Sequence, residues 1–185
     1  MKKSRNGFTL MELVVVICVL IILLAAAWWV VNPFEQAKRK RDIDRLADLT
    51  NLQQAINIAV QESTTSGAAV LCKPTGAYPC SGSSSSSTSV TSVSDGNGWV
   101  KVDLSSQKSV SIPTLPVDPI NNEAFHYTYC ADKDAYEINA TLESDQFKVK
   151  MIGDGGNENS KDNTGRYEVG TNLTLIASGG GSCTY

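Results

Sequence analysis

The chain has 185 residues, enough for one modest core beside a membrane segment but not for two. Its net charge of −3 conceals an asymmetry: Lys2, Lys3 and Arg5 stand in the first five positions, and without them 13 bases face 19 acids. An acidic distal part tells against a general nucleic-acid binder, whose phosphate contacts need Lys and Arg.

The first predicted element is apolar. Residues 13 to 31 read LVVVICVLIILLAAAWWVV, with no charge and no helix breaker. As a helix these residues span about 28 Å, close to the hydrocarbon thickness of a bilayer. Trp28 and Trp29 close the run, where amphipathic rings favour the membrane interface. The basic start, Met1 to Arg5, stays cytoplasmic by the positive-inside rule; the Lys38 to Arg41 cluster on the outer side works against that orientation, and Asp42, Asp44 and Asp48 partly offset it. Three ordinary export readings compete here. Leu13 to Leu24 with Ala25-Ala26-Ala27 fits a cleaved secretory signal, Cys18 suggests a lipoprotein though Ile17 precedes it, and a plain signal anchor is the third. None of them accounts for Glu12, a carboxylate at the edge of the apolar run that costs about 2.5–3.5 kcal/mol at mid-membrane and less near an interface.

The segment Lys3-Ser4-Arg5-Asn6-Gly7-Phe8-Thr9-Leu10-Met11-Glu12-Leu13 resembles the leader and cleavage motif of type IV prepilins and type II secretion pseudopilins: a short basic leader ending in Gly, then Phe-Thr-Leu, a variable residue, Glu and a long apolar helix. The resemblance covers about the first 35 residues. It implies that a prepilin peptidase cuts between Gly7 and Phe8 and methylates the new Phe8 amine, leaving an N-methylphenylalanine. It further implies that Glu12 pairs with the Phe8 amine of a neighbouring subunit and so sets register. The implied partners are the peptidase, other copies of the chain and minor pilins in a helical filament, and a membrane-embedded assembly platform. Glycine before the cut suits a protease that must admit an extended backbone at the membrane surface.

Asn32-Pro33 follows, and proline bends or breaks a helix. A kink rather than an end is expected, because Ile43, Leu46, Leu49, Leu52, Ile56 and Ala59 or Val60 resume a helical stripe opposite a polar face. One helix from residue 8 to about 63 is therefore expected, roughly 80 Å long. The anticipated organisation is a leader over 1–7, a transmembrane and assembly helix over 8–31, an amphipathic continuation over 32–66, and an extracytoplasmic β-rich domain over 67–185. Within that domain, Ser81 to Ser94 reads as a low-complexity surface loop, with O-glycosylation as the alternative.

Cys72, Cys80, Cys130 and Cys183 form an even set that suggests two disulfides outside the cytoplasm, with three possible pairings. Cys72 with Cys80 and Cys130 with Cys183 is the expected choice, since the first closes a short loop and the second pins the tail. A zinc site is the alternative, but its spacing differs and no His lies near. Strands are expected at Trp99 to Leu104, Phe125 to Tyr129, Tyr136 to Leu142 and Phe147 to Ile152, with Tyr167 to Ile176 as an edge. Helix first and meander second make the fold class α+β: a long N-terminal helix on a small antiparallel sheet, as in pilins.

Catalytic motifs are missing. His126, the single histidine, sits among aromatics and reads as structural, and the chain reads as non-enzymatic. Residues 153 to 165 are rich in oxygen donors, and Asp154, Asn157, Asn159 and Asp162 are candidate calcium ligands in a loop placed like that of the major pseudopilins. The segment Leu115 to Asn122 resembles the proline-flanked loop that leads into the pseudopilin sheet, without the usual aromatic after its second proline. Asn139-Ala140-Thr141 and Asn172-Leu173-Thr174 fit the N-glycosylation sequon. The function these features support is a structural subunit of a type IV pilus or pseudopilus-like filament, membrane-inserted with its N-terminus in the cytoplasm before assembly. Alternatives are a membrane-anchored extracytoplasmic binding module and a minor pilin for DNA uptake or adhesion.

Overall fold

The computed structural model describes residues 7–64, 67–73, 77–85, 92–109, 111–162, 164–177 and 181–183. It divides into two compact units, Met1–Ala37 and Lys38–Tyr185.

In the first unit, Gly7 to Thr9 is non-helical and helix α1 runs over Leu10–Val31. Thr9 is its N-cap: the extended Thr9 backbone lets its hydroxyl accept from the Glu12 amide at 3.2 Å. The apolar side chains of α1 from Leu10 to Trp28 have no protein cover, and the helix is long and apolar enough to cross a membrane. Its end corrects the expectation of one continuous kinked helix. Asn32 adopts the left-handed conformation at φ 38°, closing α1, and helix α2 starts afresh at Pro33 and ends at Glu62. Proline pushes the residue before it out of the right-handed helical region, and Asn tolerates the left-handed one. Pro33 then occupies the first helical position, where its missing N–H costs nothing. The Asn32 carbonyl accepts from Glu35 and Gln36, and its side-chain oxygen also accepts from the Glu35 amide at 3.4 Å.

In the second unit, α2 buries Asp42, Arg45, Leu49, Leu52, Ala55, Ile56 and Ala59, a spacing of three and four. The expected stripe is correct from Leu49 onward and shifted before it. Ile43 is 55% exposed, and the charged pair Asp42 and Arg45 takes the buried positions one turn earlier.

Four antiparallel strands form one sheet in the order β1-β2-β3-β4. They are β1 (Cys80–Ser83), β2 (Tyr127–Asp132), β3 (Ala135–Ala140) and β4 (Tyr167–Gly170). Pairing of Asp132 with Ala135 leaves Lys133-Asp134 as a two-residue turn, with Lys133 at φ 57°. Tyr127, Tyr129, Ala131, Tyr136, Ile138 and Ala140 alternate onto one face and pack in a core with the buried stripe of α2. The opposite face is covered as well, where Cys130 meets Leu175, Ile176 and Cys183. Two disulfides staple this unit. Cys72–Cys80 links the segment after the short helix α3 (Gly67–Leu71) to β1, and Cys130–Cys183 links β2 to the tail.

Two expected strands are something else. Trp99 to Leu104 carries only an isolated bridge, Asp95 to Asp103, although Trp99, Val100, Val102 and Leu104 are buried. Its backbone lies against β1 instead: a Cβ at Gly82 would sit 2.2 Å from the Trp99 carbonyl oxygen. Phe147 to Ile152 is a turn leading into the single helical turn α4 (Lys150–Gly153). Ser144 causes the change, since its carbonyl accepts from Phe147 and Lys148 and its own amide is claimed by Asp42. The Ser-rich segment is likewise no simple surface loop. Ser81–Ser83 belong to β1, Ser84 and Ser94 are buried, and residues 86–91 lie outside those described.

Candidate functional site

Gly7 and Phe8 are exposed in the non-helical stretch just before α1, and Glu12 is exposed in the first turn of that helix. The Gly7-Phe8 bond and Glu12 are thus separated by a capped helix start: non-helical backbone on one side, a carboxylate on the other. A carboxylate in a first turn also suits the positive end of the helix dipole. Among the described residues, no atom beyond its chain neighbours lies within 4 Å of where a Gly7 Cβ would stand. Lys2, Lys3 and Arg5 lie outside the described residues. Cys18 is an exposed free thiol on α1.

The domain's dominant polar feature is a buried charge network that sequence reasoning did not assemble. Arg45 donates from Nε to Asp118 Oδ2 at 2.6 Å and from Nη2 to Asp118 Oδ1 at 3.0 Å. Its Nη1 donates to Asp42 Oδ1 at 2.9 Å and to Glu143 Oε1 at 2.6 Å. Arg41 adds two bonds to Glu143, at 2.8 and 2.7 Å, and the Phe125 ring lies 5.2 Å from the Arg45 guanidinium carbon. Burial works against the Arg45 charge, yet Asp118, Glu143 and Asp42 together hold it more firmly protonated than an ordinary arginine. Burial also works against ionised Glu143, but Arg41 and Arg45 outweigh it and hold its carboxyl below the usual range. The remaining acceptor capacity is taken by backbone: Asp42 accepts from the amides of Glu143 and Ser144, and Asp118 from those of Ile120 and Asn121. Buried charges paired this completely hold α2, the proline-flanked loop and the segment that follows β3 in one arrangement. Only the Asp42/Arg45 spacing is visible along the chain, since Asp118 and Glu143 are 73 and 98 positions from Arg45.

Three of the four candidate calcium donors make hydrogen bonds to nearby backbone. Asp154 accepts from the amides of Gly156 at 3.1 Å and Glu168 at 2.9 Å, and Asp162 from Thr164 at 2.9 Å. Asn159 donates to the Gly156 carbonyl at 2.7 Å, and Asn157 is exposed. Asp154, Asn159 and Asp162 thus satisfy backbone groups of this loop and of β4. Among the described residues, no three His, Cys, Asp or Glu side chains gather as a metal site. His126 lies just before β2 with Nδ1 3.1 Å from the Asn122 carbonyl, and burial lowers its pKa. Asn139 is fully buried in β3, which removes its sequon from reach of a glycosyltransferase. Asn172 is exposed, with its side-chain oxygen accepting from Thr174.

Residues 2–28 match the family model of the prokaryotic N-terminal methylation motif. No curated protein and no solved structure matches the chain.

Proposed function

We propose that this chain, which carries the type IV pilin and pseudopilin signature at its N-terminus, is a structural subunit of a pilus or pseudopilus-like filament. The observation that carries the reading is the match of residues 2–28, set at the capped start of an uncovered apolar helix. The non-helical stretch from Gly7 to Thr9 gives a prepilin peptidase a cleavable segment, and cutting after Gly7 sheds the basic leader while keeping the helix. The new Phe8 amine, once methylated, stands four residues before Glu12. Unpaired carboxylates in lipid are costly, so Glu12 is best neutralised by the Phe8 amine of an adjacent subunit, and the pairing sets the axial register of the filament. In this reading residues 1–7 are leader, 8–31 the membrane and assembly helix, 32–66 its continuation, and 67–185 the extracytoplasmic domain. The work of the chain is assembly with itself and other pilins through a membrane-embedded platform, and it is structural rather than catalytic.

Intact mass and N-terminal sequencing of the protein from its native membrane test the processing step. A chain that begins at Phe8 and carries one extra methyl group supports the proposal. A start at Trp28 marks an ordinary secreted domain, and an uncut chain beginning at Met1 a signal anchor; either result overturns it. Recovery as a component of sheared filaments tests the assembly step separately.

A further inference from the structure

Five buried side-chain atoms have no hydrogen-bond partner among the described residues, and all of them belong to one face of the sheet. They are Thr128 Oγ1, Glu137 Oε1, Asn139 Oδ1 and Nδ2, and Glu168 Oε1. Thr128 stands opposite Asn139, and Asn139 opposite Glu168, so the three form a row across β2, β3 and β4. Glu137 lies two residues from Asn139 in β3 and therefore on the same face, away from the tyrosines that pack on α2. None of the four residues is more than 3% exposed.

A carboxyl–carboxyl hydrogen bond joins the two glutamates, and each also anchors a neighbouring segment. Glu137 Oε2 accepts from the amides of Leu175 at 2.8 Å and Ile176 at 3.0 Å, and Glu168 Oε2 from that of Glu158 at 3.2 Å. Arg166, two residues from Glu168, donates to Thr141 Oγ1 and the Gly165 carbonyl. Burial pushes the Glu168 carboxyl up to about 8, reinforced by Glu137, and burial raises Glu137 as well. Two adjacent buried carboxylates cannot both stay ionised without a counter-charge. A proton shared between them would neutralise the pair, but it would leave the oxygens of Thr128 and Asn139 unsatisfied. A hard divalent cation would take the place of that proton and give the oxygens of Thr128 and Asn139 a partner, leaving only the Asn139 Nδ2 donor unmet. It takes six to eight oxygen ligands from carboxylates, amides, hydroxyls and water, in a geometry loose enough for a set not made for it alone. At the β4 edge, Glu168 and Asp154 border an open cavity of about 440 Å³ together with Tyr167, Lys150, Gln53 and Leu173; Glu137, Asn139 and Thr128 do not line it.

We propose that one hard divalent cation binds on the outer face of the sheet, held by the carboxylates of Glu137 and Glu168 with the oxygens of Asn139 and Thr128. The ion fastens the tail at Leu175 and Ile176 and the loop at Glu158 onto the strands. This site is distinct from the acidic loop, whose donors cap their own turns, and it stands independently of the filament reading.

The test uses the full chain in detergent, stripped with EDTA, desalted and returned to calcium or magnesium chloride at neutral pH. At a calcium concentration a hundred times its Kd, Tm is expected to rise by roughly 5–10 °C. Calorimetric titration is expected to give one site per chain. Glu168→Gln and Glu137→Gln abolish the response, whereas Asp162→Asn in the acidic loop preserves it. Thr128→Val, a near-isosteric change, keeps the fold and weakens calcium binding several-fold, which covers the case in which the glutamine variants do not fold. Absence of both the Tm shift and the calorimetric heat overturns the proposal. So does loss of the response in Asp162→Asn with retention in Glu168→Gln, which moves the ion to the loop. A calcium-indifferent wild type whose Glu168→Gln variant is the more stable chain identifies a shared proton instead.

Discussion

Arg45 grips Asp118 at two points, Nε to Oδ2 at 2.6 Å and Nη2 to Oδ1 at 3.0 Å, across 73 positions of sequence. Both side chains are fully buried, so this fork joins helix to loop where water cannot compete. Removing one partner of such a pair is far more damaging than losing a surface ion pair, because the other charge stays buried. Arg45→Ala strands Asp42, Asp118 and Glu143 together and is expected to destabilise the chain by about 3–5 kcal/mol. Arg45→Lys keeps the charge but not the fork, and falls between. Denaturant titration of the detergent-solubilised protein, compared at equal slope, measures both.

The same network contributes to stability in a pH-dependent way. Arg41 and Arg45 hold the folded Glu143 carboxyl below its unfolded value, so ionised Glu143 favours the folded state. That contribution is fully present above about pH 4.5, the unfolded value, and is lost as pH falls through the lower folded one. A Glu143→Gln variant is therefore expected to be less stable than wild type near neutrality, with a shallower loss of Tm between pH 5 and about 3. Equal slopes for the two proteins would contradict this assignment.

The two disulfides are unequal staples. Cys130–Cys183 spans 53 positions and Cys72–Cys80 spans 8. Chain-entropy reasoning assigns about 4 kcal/mol to the long loop and about 2.5 kcal/mol to the short one. The Cys130→Ser/Cys183→Ser pair is thus expected to lower the denaturation midpoint more than Cys72→Ser/Cys80→Ser, at unchanged far-ultraviolet circular dichroism under native conditions.

Processing and assembly are expected to separate at Gly7 and Glu12. A bulky side chain at position 7, as in Gly7→Val, blocks cleavage and leaves a full-length, unmethylated chain in the membrane. Glu12→Gln is cut and methylated but does not enter filaments, because it offers the Phe8 amine of its neighbour no charge. Mass spectrometry of the membrane fraction and immunoblotting of sheared material read the two steps apart. A Glu12→Gln chain recovered in filaments at the wild-type level would refute the register role.

How much of this was legible in the sequence differs by element. The N-terminal motif and α1 were readable, since fixed identities and an unbroken apolar run are local signals. The β2–β3 hairpin was also readable, from two alternating runs around Lys133-Asp134. β1 was hidden because Cys80–Ser83 has almost no strand propensity and is held by its ladder to β2. Trp99 to Leu104 misled because it is buried on nearly every side, and burial without a partner strand imitates alternation. Phe147 to Ile152 lost its strand to Ser144 and Asp42, 102 positions apart in the chain. The shifted start of the α2 stripe has the same origin: Asp42 and Arg45 are buried only because Asp118 and Glu143 come to meet them. The outer-face row of Thr128, Asn139 and Glu168 needs strand register to exist at all, and register is not written in any one segment.

Among the four cysteines after α1, the disulfides join neighbours in chain order, Cys72 with Cys80 and Cys130 with Cys183. In the proposed orientation, with the N-terminus held in the cytoplasm and the domain threaded across from its Cys72 end, that order has a consequence for biogenesis. Cys72 and Cys80 emerge together and can be closed before Cys130 arrives, and Cys130 then meets no free thiol until Cys183 follows. An oxidase acting on the emerging chain therefore reaches one of three conceivable pairings simply by vectorial export, without a disulfide isomerase to correct mistakes.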